Sequence, residues 1–248
     1  MIKYIVLAAL QGLTEFLPVS SSGHMAVVSQ VFKVFKEPFF FIVVVHLGTV
    51  CSLLVFFIRE IIHALNDRHE LKKILIVTVI SLVFGFLGRG LFMDLVSNIT
   101  FVAVAFIVNG LILLLVNPKI KLAKRRELTY RDAVFLGLAQ VVGMFAGISR
   151  SGMTLSVLLF RGLERRQAFK FSFLSAIPII ILAFTFEYSK QAVDVVGVER
   201  FYYLGGFLIA FAIGYLSLAF LVSIMRRSRL DVLGYYCILL GIMNLLLR

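Results

Sequence analysis

The sequence predicts an all-α integral membrane protein built as an inverted-topology repeat, each copy one re-entrant broken-helix hairpin plus three transmembrane helices. That makes six spans and four half-helices. Three observations predict it. Hydrophobic residues make up 61% of the 248-residue chain and charged residues only 15%, against roughly 25% charged in soluble domains. Six apolar runs approach the ~20 residues a helix needs to cross a bilayer. The chain also matches itself at an offset of 129 residues, which lays Gln11 on Gln140, Phe16 on Phe145, Ser20 on Ser149, Ser22 on Ser151 and Gly23 on Gly152. The net charge of +12 does not point to a nucleic-acid partner, because a mean hydropathy of +1.03 leaves too little polar surface for a soluble domain.

The elements follow in order. Residues 1–36 are apolar, then broken by a Ser/Gly motif, then apolar again, with each half too short to cross; they form the first broken hairpin. Span 38–58 reads PFFFIVVVHLGTVCSLLVFFI, and loop 59–73 after it carries Arg59, Arg68, Lys72 and Lys73. Spans 74–92 and 99–116 complete a first copy over approximately 1–116. Loop 117–132 carries six basic residues, from Lys119 to Arg131, and joins the copies. Residues 133–160 form the second broken hairpin and open a second copy, approximately 133–248. Segment 161–170 carries Arg161, Arg165, Arg166 and Lys170; spans 171–186 and 201–225, segment 226–231 with three arginines, and span 232–247 follow. These four polar segments hold 17 of the 25 Lys and Arg residues. Placing them in the cytoplasm satisfies the positive-inside rule. Parity then requires the first hairpin to dip from outside and the second from inside, with both termini outside. Residues 1–248 form a single multi-pass membrane domain. Inverted repeats with broken helices place a polar site near the bilayer midplane, between the copies.

The two broken segments carry the chemistry. In QGLTEFLPVSSSGH, residues 11–24, Glu15 is the only acidic residue before Glu37. A carboxylate at membrane depth is costly and is by default functional or paired. Pro18 ends the first half-helix, Ser20, Ser21, Ser22 and Gly23 form an irregular turn, and His24 opens the second half. In GISRSG, residues 147–152, Arg150 is the sole charge between Asp132 and Arg161. Its planar fork suits phosphate. Ser149, Ser151 and Gly152 surround it at a helix start, where free N–H groups favour anions. Two helix N-termini, an arginine and several hydroxyls thus form a phosphate-binding arrangement. Ser21 can attack phosphorus with His24 or Glu15 taking its proton, or Glu15 can hold a divalent cation; spacing does not choose between these. A structural Glu15–Arg150 ion pair is the plainer alternative. His46 reads as a core histidine, His63 and His69 as solvated, Arg89 as an interfacial anchor, and Cys51 and Cys237 as small hydrophobes without a disulfide or metal.

These two motifs resemble the paired signatures of the undecaprenyl-diphosphate phosphatase family, the bacitracin-resistance membrane phosphatases, and the resemblance covers essentially the whole chain. It implies hydrolysis of undecaprenyl diphosphate to undecaprenyl phosphate and inorganic phosphate. That reaction recycles the lipid carrier for cell-wall synthesis at the outer face of the plasma membrane and confers bacitracin resistance. It implies catalytic roles for Glu15, Ser21, His24 and Arg150, with Ser20, Ser22, Gly23, Ser149, Ser151 and Gly152 around the phosphates. It also implies a divalent cation, Mg²⁺ or Ca²⁺, at Glu15 and Gln11. Gln11 stands where many members have Glu and offers a metal only its carbonyl oxygen. The expected partners are the polyprenyl diphosphate, membrane lipids and, for the whole protein, a second copy of itself. The repeat architecture leaves a rival function open: a polyprenyl-phosphate translocase, or a phosphatase that also translocates.

Overall fold

A long apolar chain has few ways to satisfy its backbone in a bilayer, and the helix is the simplest of them. The computed structural model describes residues 2–32, 39–189 and 199–246, and among these it contains fourteen helices and no strand, with one isolated bridge pairing Arg125 and Leu163. In chain order the helices are α1 (Ile2–Thr14), α2 (Ser21–Phe32), α3 (Phe39–Phe56), α4 (Ile58–Asn66), α5 (Arg68–Leu87), α6 (Arg89–Val96) and α7 (Ile99–Val116). There follow α8 (Lys119–Leu122), α9 (Tyr130–Val142), α10 (Arg150–Phe160), α11 (Arg165–Leu174), α12 (Ala176–Ser189), α13 (Glu199–Arg227) and α14 (Leu230–Leu246).

Side-chain caps fix several of the starts. Asp67 accepts from the N–H of His69 and Glu70 to open α5, Asn98 caps α7, and Thr129 with Asp132 forms a reciprocal capping box on α9. Such caps are each worth about 1 kcal/mol. Asp132 is fully buried and also receives Arg125 Nη1 at 2.6 Å and Arg161 Nε, which ties loop 117–132 to the end of α10.

Among the described residues, two stretches, Ile99–Leu122 and Phe201–Arg227, are long and apolar enough to cross a membrane. Two further helix pairs qualify only as bent spans: α3 with α4 turns by 70° and α5 with α6 by 65°. Sequence and structure differ in four places. Helix α1 ends at Thr14 rather than Pro18, and α2 opens at Ser21 rather than His24, so Ser21, Ser22 and Gly23 lie in its first turn. Loop 59–73 is largely helical, formed by α4 and the first turns of α5. The apolar run 171–186 straddles two helices, α11 and α12, with a break at Ser175. Run 74–92 is interrupted at Gly88 rather than continuous. Parts of the expected elements at 33–38 and 247–248 lie outside the described residues.

Packing brings the two halves of the sequence together. Helix α1 lies on α13, α9 on α5, α3 on α13, and α7 on α14. The α7–α14 crossing is close because glycines face backbone: a Cβ on Gly110 would stand 2.5 Å from Gly234 O, and one on Gly234 would stand 2.9 Å from Gly110 O. Without a hydrophobic drive between helices in lipid, small residues permit the backbone approach that dispersion needs. Phe16, Phe57, Phe169 and Phe173 form an aromatic cluster beneath the first hairpin.

Candidate active site

The two Ser-rich turns have the same local build. Pro18 follows the end of α1, and Ser20 takes a left-handed backbone conformation (φ 67°) that reverses the chain. Ser20 Oγ then accepts from Gly23 N at 3.2 Å at the start of α2. In the second hairpin Gly147 takes φ 93°, and Ser149 Oγ accepts from Gly152 N at 3.2 Å at the start of α10.

The turns also bond to one another. Gly147 N donates to Ser20 Oγ at 3.0 Å, and Ser149 Oγ donates to Leu17 O at 3.4 Å. Gly23 abuts Gly147 so closely that a Cβ there would meet its nitrogen at 2.8 Å. Between them sits Asn109 of α7, fully buried. Its Nδ2 donates to Pro18 O at 2.9 Å, and its Oδ1 accepts from Ser149 N at 3.1 Å. One amide therefore satisfies a stranded backbone group in each hairpin.

Glu15 and Arg150, 135 residues apart, meet here: Arg150 Nη2 lies 3.1 Å from Glu15 Oε1, with the two side chains only 16% and 11% exposed. The other carboxylate oxygen, Oε2, accepts from Ser21 Oγ at 2.7 Å and from Gln11 Nε2 at 2.9 Å. Glu15 thus spends both oxygens on the residues that matter to the site: a cation, a hydroxyl and an amide. A cavity of about 250 Å³ opens beside this group and is lined by Glu15, Ser20, Ser21, Ser22, Ser149 and Arg150, together with Met144 and His46.

Not every expected residue reaches the cavity. His24 is buried behind the turn. Its Nδ1 lies 2.7 Å from Ser20 O, and its Nε2 lies 2.7 Å from the hydroxyl of Tyr236, whose ring stacks on the imidazole. A carbonyl can only accept, so Nδ1 carries the proton and Nε2 accepts from Tyr236. Gln11 is fully buried behind Glu15, Ser151 supports Ser149 at 3.1 Å, and Gly23 and Gly152 supply backbone to the two helix starts.

His46 is the opposite case. Its Nδ1 donates to Ile42 O at 2.8 Å, which leaves Nε2 as the basic atom of a ring on the cavity wall. The sequence held a signal for it and for Asn109, since each is a polar side chain isolated in an apolar run, as Glu15 and Arg150 are.

The donor set decides what cation the site can accept. The site offers a single carboxylate; the cluster of metal-ligand types among the described residues, His63, Asp67 and Glu70, lies elsewhere, at the α4–α5 junction. Gln11 turns Nε2 toward Glu15, and its Oε1 is buried with no hydrogen-bond partner. One carboxylate and a spare amide oxygen suit a hard divalent cation that completes its shell with phosphate oxygens and water.

The family model for the bacitracin resistance protein BacA matches residues 4–243. The chain belongs to the BacA family. Relatives match it end to end. The undecaprenyl-diphosphatase of Treponema denticola is 37% identical over 96% of this chain and 94% of its own length. That of Thermosipho africanus is 38% identical over 97% of each chain, and that of Carboxydothermus hydrogenoformans is 35% identical over 98% of this chain and 96% of its own. The BacA match includes both Ser-rich turns and all the residues that line the cavity.

Proposed function

We propose that this chain hydrolyses undecaprenyl diphosphate to undecaprenyl phosphate and inorganic phosphate, recycles the carrier for wall synthesis, and so confers bacitracin resistance. The observation that carries the reading is the Ser21 hydroxyl donating to Glu15 Oε2 while Arg150 holds Oε1, beside a cavity at two helix starts. A nucleophile, a proton acceptor and a phosphate-binding fork stand within one hydrogen-bonded group. Relatives named undecaprenyl-diphosphatase over nearly the full length support the substrate.

The terminal phosphoryl group enters against Arg150 and the N–H groups of α2 and α10. Arg150 exchanges its carboxylate partner for phosphate, a better match for its fork, and Glu15 is released as the base. Ser21 Oγ attacks the terminal phosphorus in line and passes its proton to Glu15. The bridging P–O bond breaks, and undecaprenyl phosphate leaves with the proton that Glu15 took from Ser21. Water then attacks the phosphoserine and gives a proton to the freed carboxylate, which passes it to Ser21 Oγ as the Oγ–P bond breaks and inorganic phosphate departs. His24 fixes the serine turn through Ser20 O rather than serving as base, because Tyr236 occupies its lone pair. A divalent cation, Mg²⁺ or Ca²⁺, would be held by Glu15, Gln11 and the diphosphate, and would neutralise charge on the phosphates.

The chain-level reading completes this picture. Six crossings carry an inverted repeat in the plasma membrane, with both termini and the site's mouth outside. The reciprocal packing of α1 on α13 and α9 on α5 supports it, since the 129-residue offset exchanges those pairs.

Phosphate release from undecaprenyl diphosphate by purified protein in detergent tests the reading. Wild type releases phosphate and a chelator stops it, while Ser21→Ala and Glu15→Gln each lower turnover 10²- to 10⁴-fold, on the order expected for a lost nucleophile or base. Near-wild-type turnover in Ser21→Ala sinks the nucleophile assignment. No release by wild type, with lipid movement in liposomes, makes the protein a translocase.

A further inference from the structure

A second cavity, about 980 Å³, opens where the end of α3, α4, the start of α11 and the end of α13 meet, and it shares no residue with the active-site cavity. Its floor is apolar: Phe57, Phe169 and Met225 are all buried. Its rim is basic, with Arg59, Arg165, Arg166, Lys170 and Arg226 facing Glu60 and Glu164.

Several of these charges are already used. Lys170 pairs with both oxygens of Glu70 at 2.7 and 2.8 Å, Arg126 lies 3.2 Å from Glu164, and Arg165 donates to Arg226 O at 2.8 Å. Arg59, Arg166 and Arg226 have no ion-pair partner among the described residues, and all three are exposed. Against them stands Glu60, so the rim keeps an uncompensated positive charge.

Helix α4 fixes the level of this cavity in the membrane. It turns 70° away from α3. Ile58, Ile62 and Leu65, at helical spacing, expose 51%, 54% and 63% of their surface along one face. Arg59, Glu60 and His63 occupy the opposite face and line the cavity. A helix with an exposed apolar stripe and a charged face is stable lying in the interface, with the stripe in the acyl region. The charged wall, and with it the cavity, then stands at headgroup depth, on the side that carries the basic loops.

We propose that this cavity seats the phosphate headgroup of an anionic phospholipid. The unpaired arginines take the phosphodiester, and the acyl chains run over the Phe and Met floor toward the Ile stripe of α4. A soluble anion would leave that floor wet. A zwitterionic lipid brings a cation that the rim repels, and a second copy of this chain would set basic rim against basic rim.

Native mass spectrometry and thermal unfolding of the full chain, delipidated in nonionic detergent, test the proposal. The probes are phosphatidylglycerol, phosphatidylcholine and inorganic phosphate. Wild type retains one phosphatidylglycerol per chain and gains thermal stability from it. The triple variant Arg59→Gln/Arg166→Gln/Arg226→Gln binds it about a hundredfold more weakly, the effect expected for three cations at a lipid surface, and the triple Lys variant keeps most of the binding. Phosphate release by the Gln variant in pure phosphatidylcholine stays within about twofold of wild type, which shows that it is folded. Equal retention by wild type and the Gln variant overturns the proposal, as does equal retention of phosphatidylcholine. Saturable binding of inorganic phosphate at the same arginines makes this a soluble-anion site and also overturns it.

Discussion

Asn109 ties the two hairpins together without lining the cavity. Its side-chain amide is shared between Pro18 O and Ser149 N, so Asn109→Ala strands two buried backbone groups. The expected loss is about 1–3 kcal/mol for each unsatisfied group, read as a fall in melting temperature together with a fall in phosphate release. Arg150→Lys keeps the charge and loses the fork; turnover falls at least tenfold while the melting temperature moves little. Asp132, in the first turn of α9, behaves differently. Burial pushes its carboxyl up, but hydrogen bonds from Arg125, from Thr129 N and from Arg161 outweigh it and hold the group well below its ordinary 3.8. A depressed folded-state pKa adds stability above the unfolded value and loses it as pH falls through the folded one. The melting temperature of wild type therefore drops below about pH 4 more steeply than that of Asp132→Asn. Of the site residues, Glu15 and Arg150 were legible because a lone charge in apolar sequence has few explanations. His46 and Asn109 were equally isolated, but an uncharged polar group is easily satisfied by a nearby carbonyl. Nothing in the sequence connects His24 to Tyr236, 212 residues away.

Helix starts were easier to read than helix bends. Ser149 before Arg150 is a direct cap signal, and it caps α10. The bends at Phe57 and Gly88 fall within apolar stretches with no proline near either break. Hydropathy does not change where the direction of the chain does, so the first was read as the end of a straight span and the second was hidden inside one. The break at Ser175 in run 171–186 was hidden for a related reason. Phe171, Phe173 and Leu174 are apolar because they are buried against protein, on a helix that begins with Arg165 and Arg166. A close approach between helices yields a sharp test. In Gly110→Ala the added methyl meets Gly234 O at 2.5 Å and Ile238 Cγ1 at 2.7 Å, and the carbonyl is backbone that cannot swing aside. Overpacking of this kind costs about 1–3 kcal/mol, seen as a lower melting temperature for the purified protein, with α7 and α14 pushed apart.

Taken as one object, the chain places its cations and its reaction centre in different regions. The basic segments were legible from charge alone; the site was legible from two motifs; the way the halves interlock was not, because offset identities say which residues correspond and not which helices touch. The proposed orientation is testable by labelling. In a chain freed of Cys51 and Cys237, a cysteine at Lys124 reacts with a membrane-impermeant maleimide only in inverted vesicles or permeabilised cells; labelling of intact cells refutes the orientation. The interlock also has a consequence for synthesis. Helix α1 finds its seat on α13, and Glu15 meets its cation 135 residues later. A ribosome that has delivered the first hairpin has delivered the proposed nucleophile and its carboxylate but not the residues packed against them. Until Arg150 has emerged, Ser21 and Glu15 stand without the cation opposite them. On the proposed mechanism, hydrolysis begins only once the second hairpin and α13 are in place, and a chain truncated before them is inert toward the carrier lipid around it.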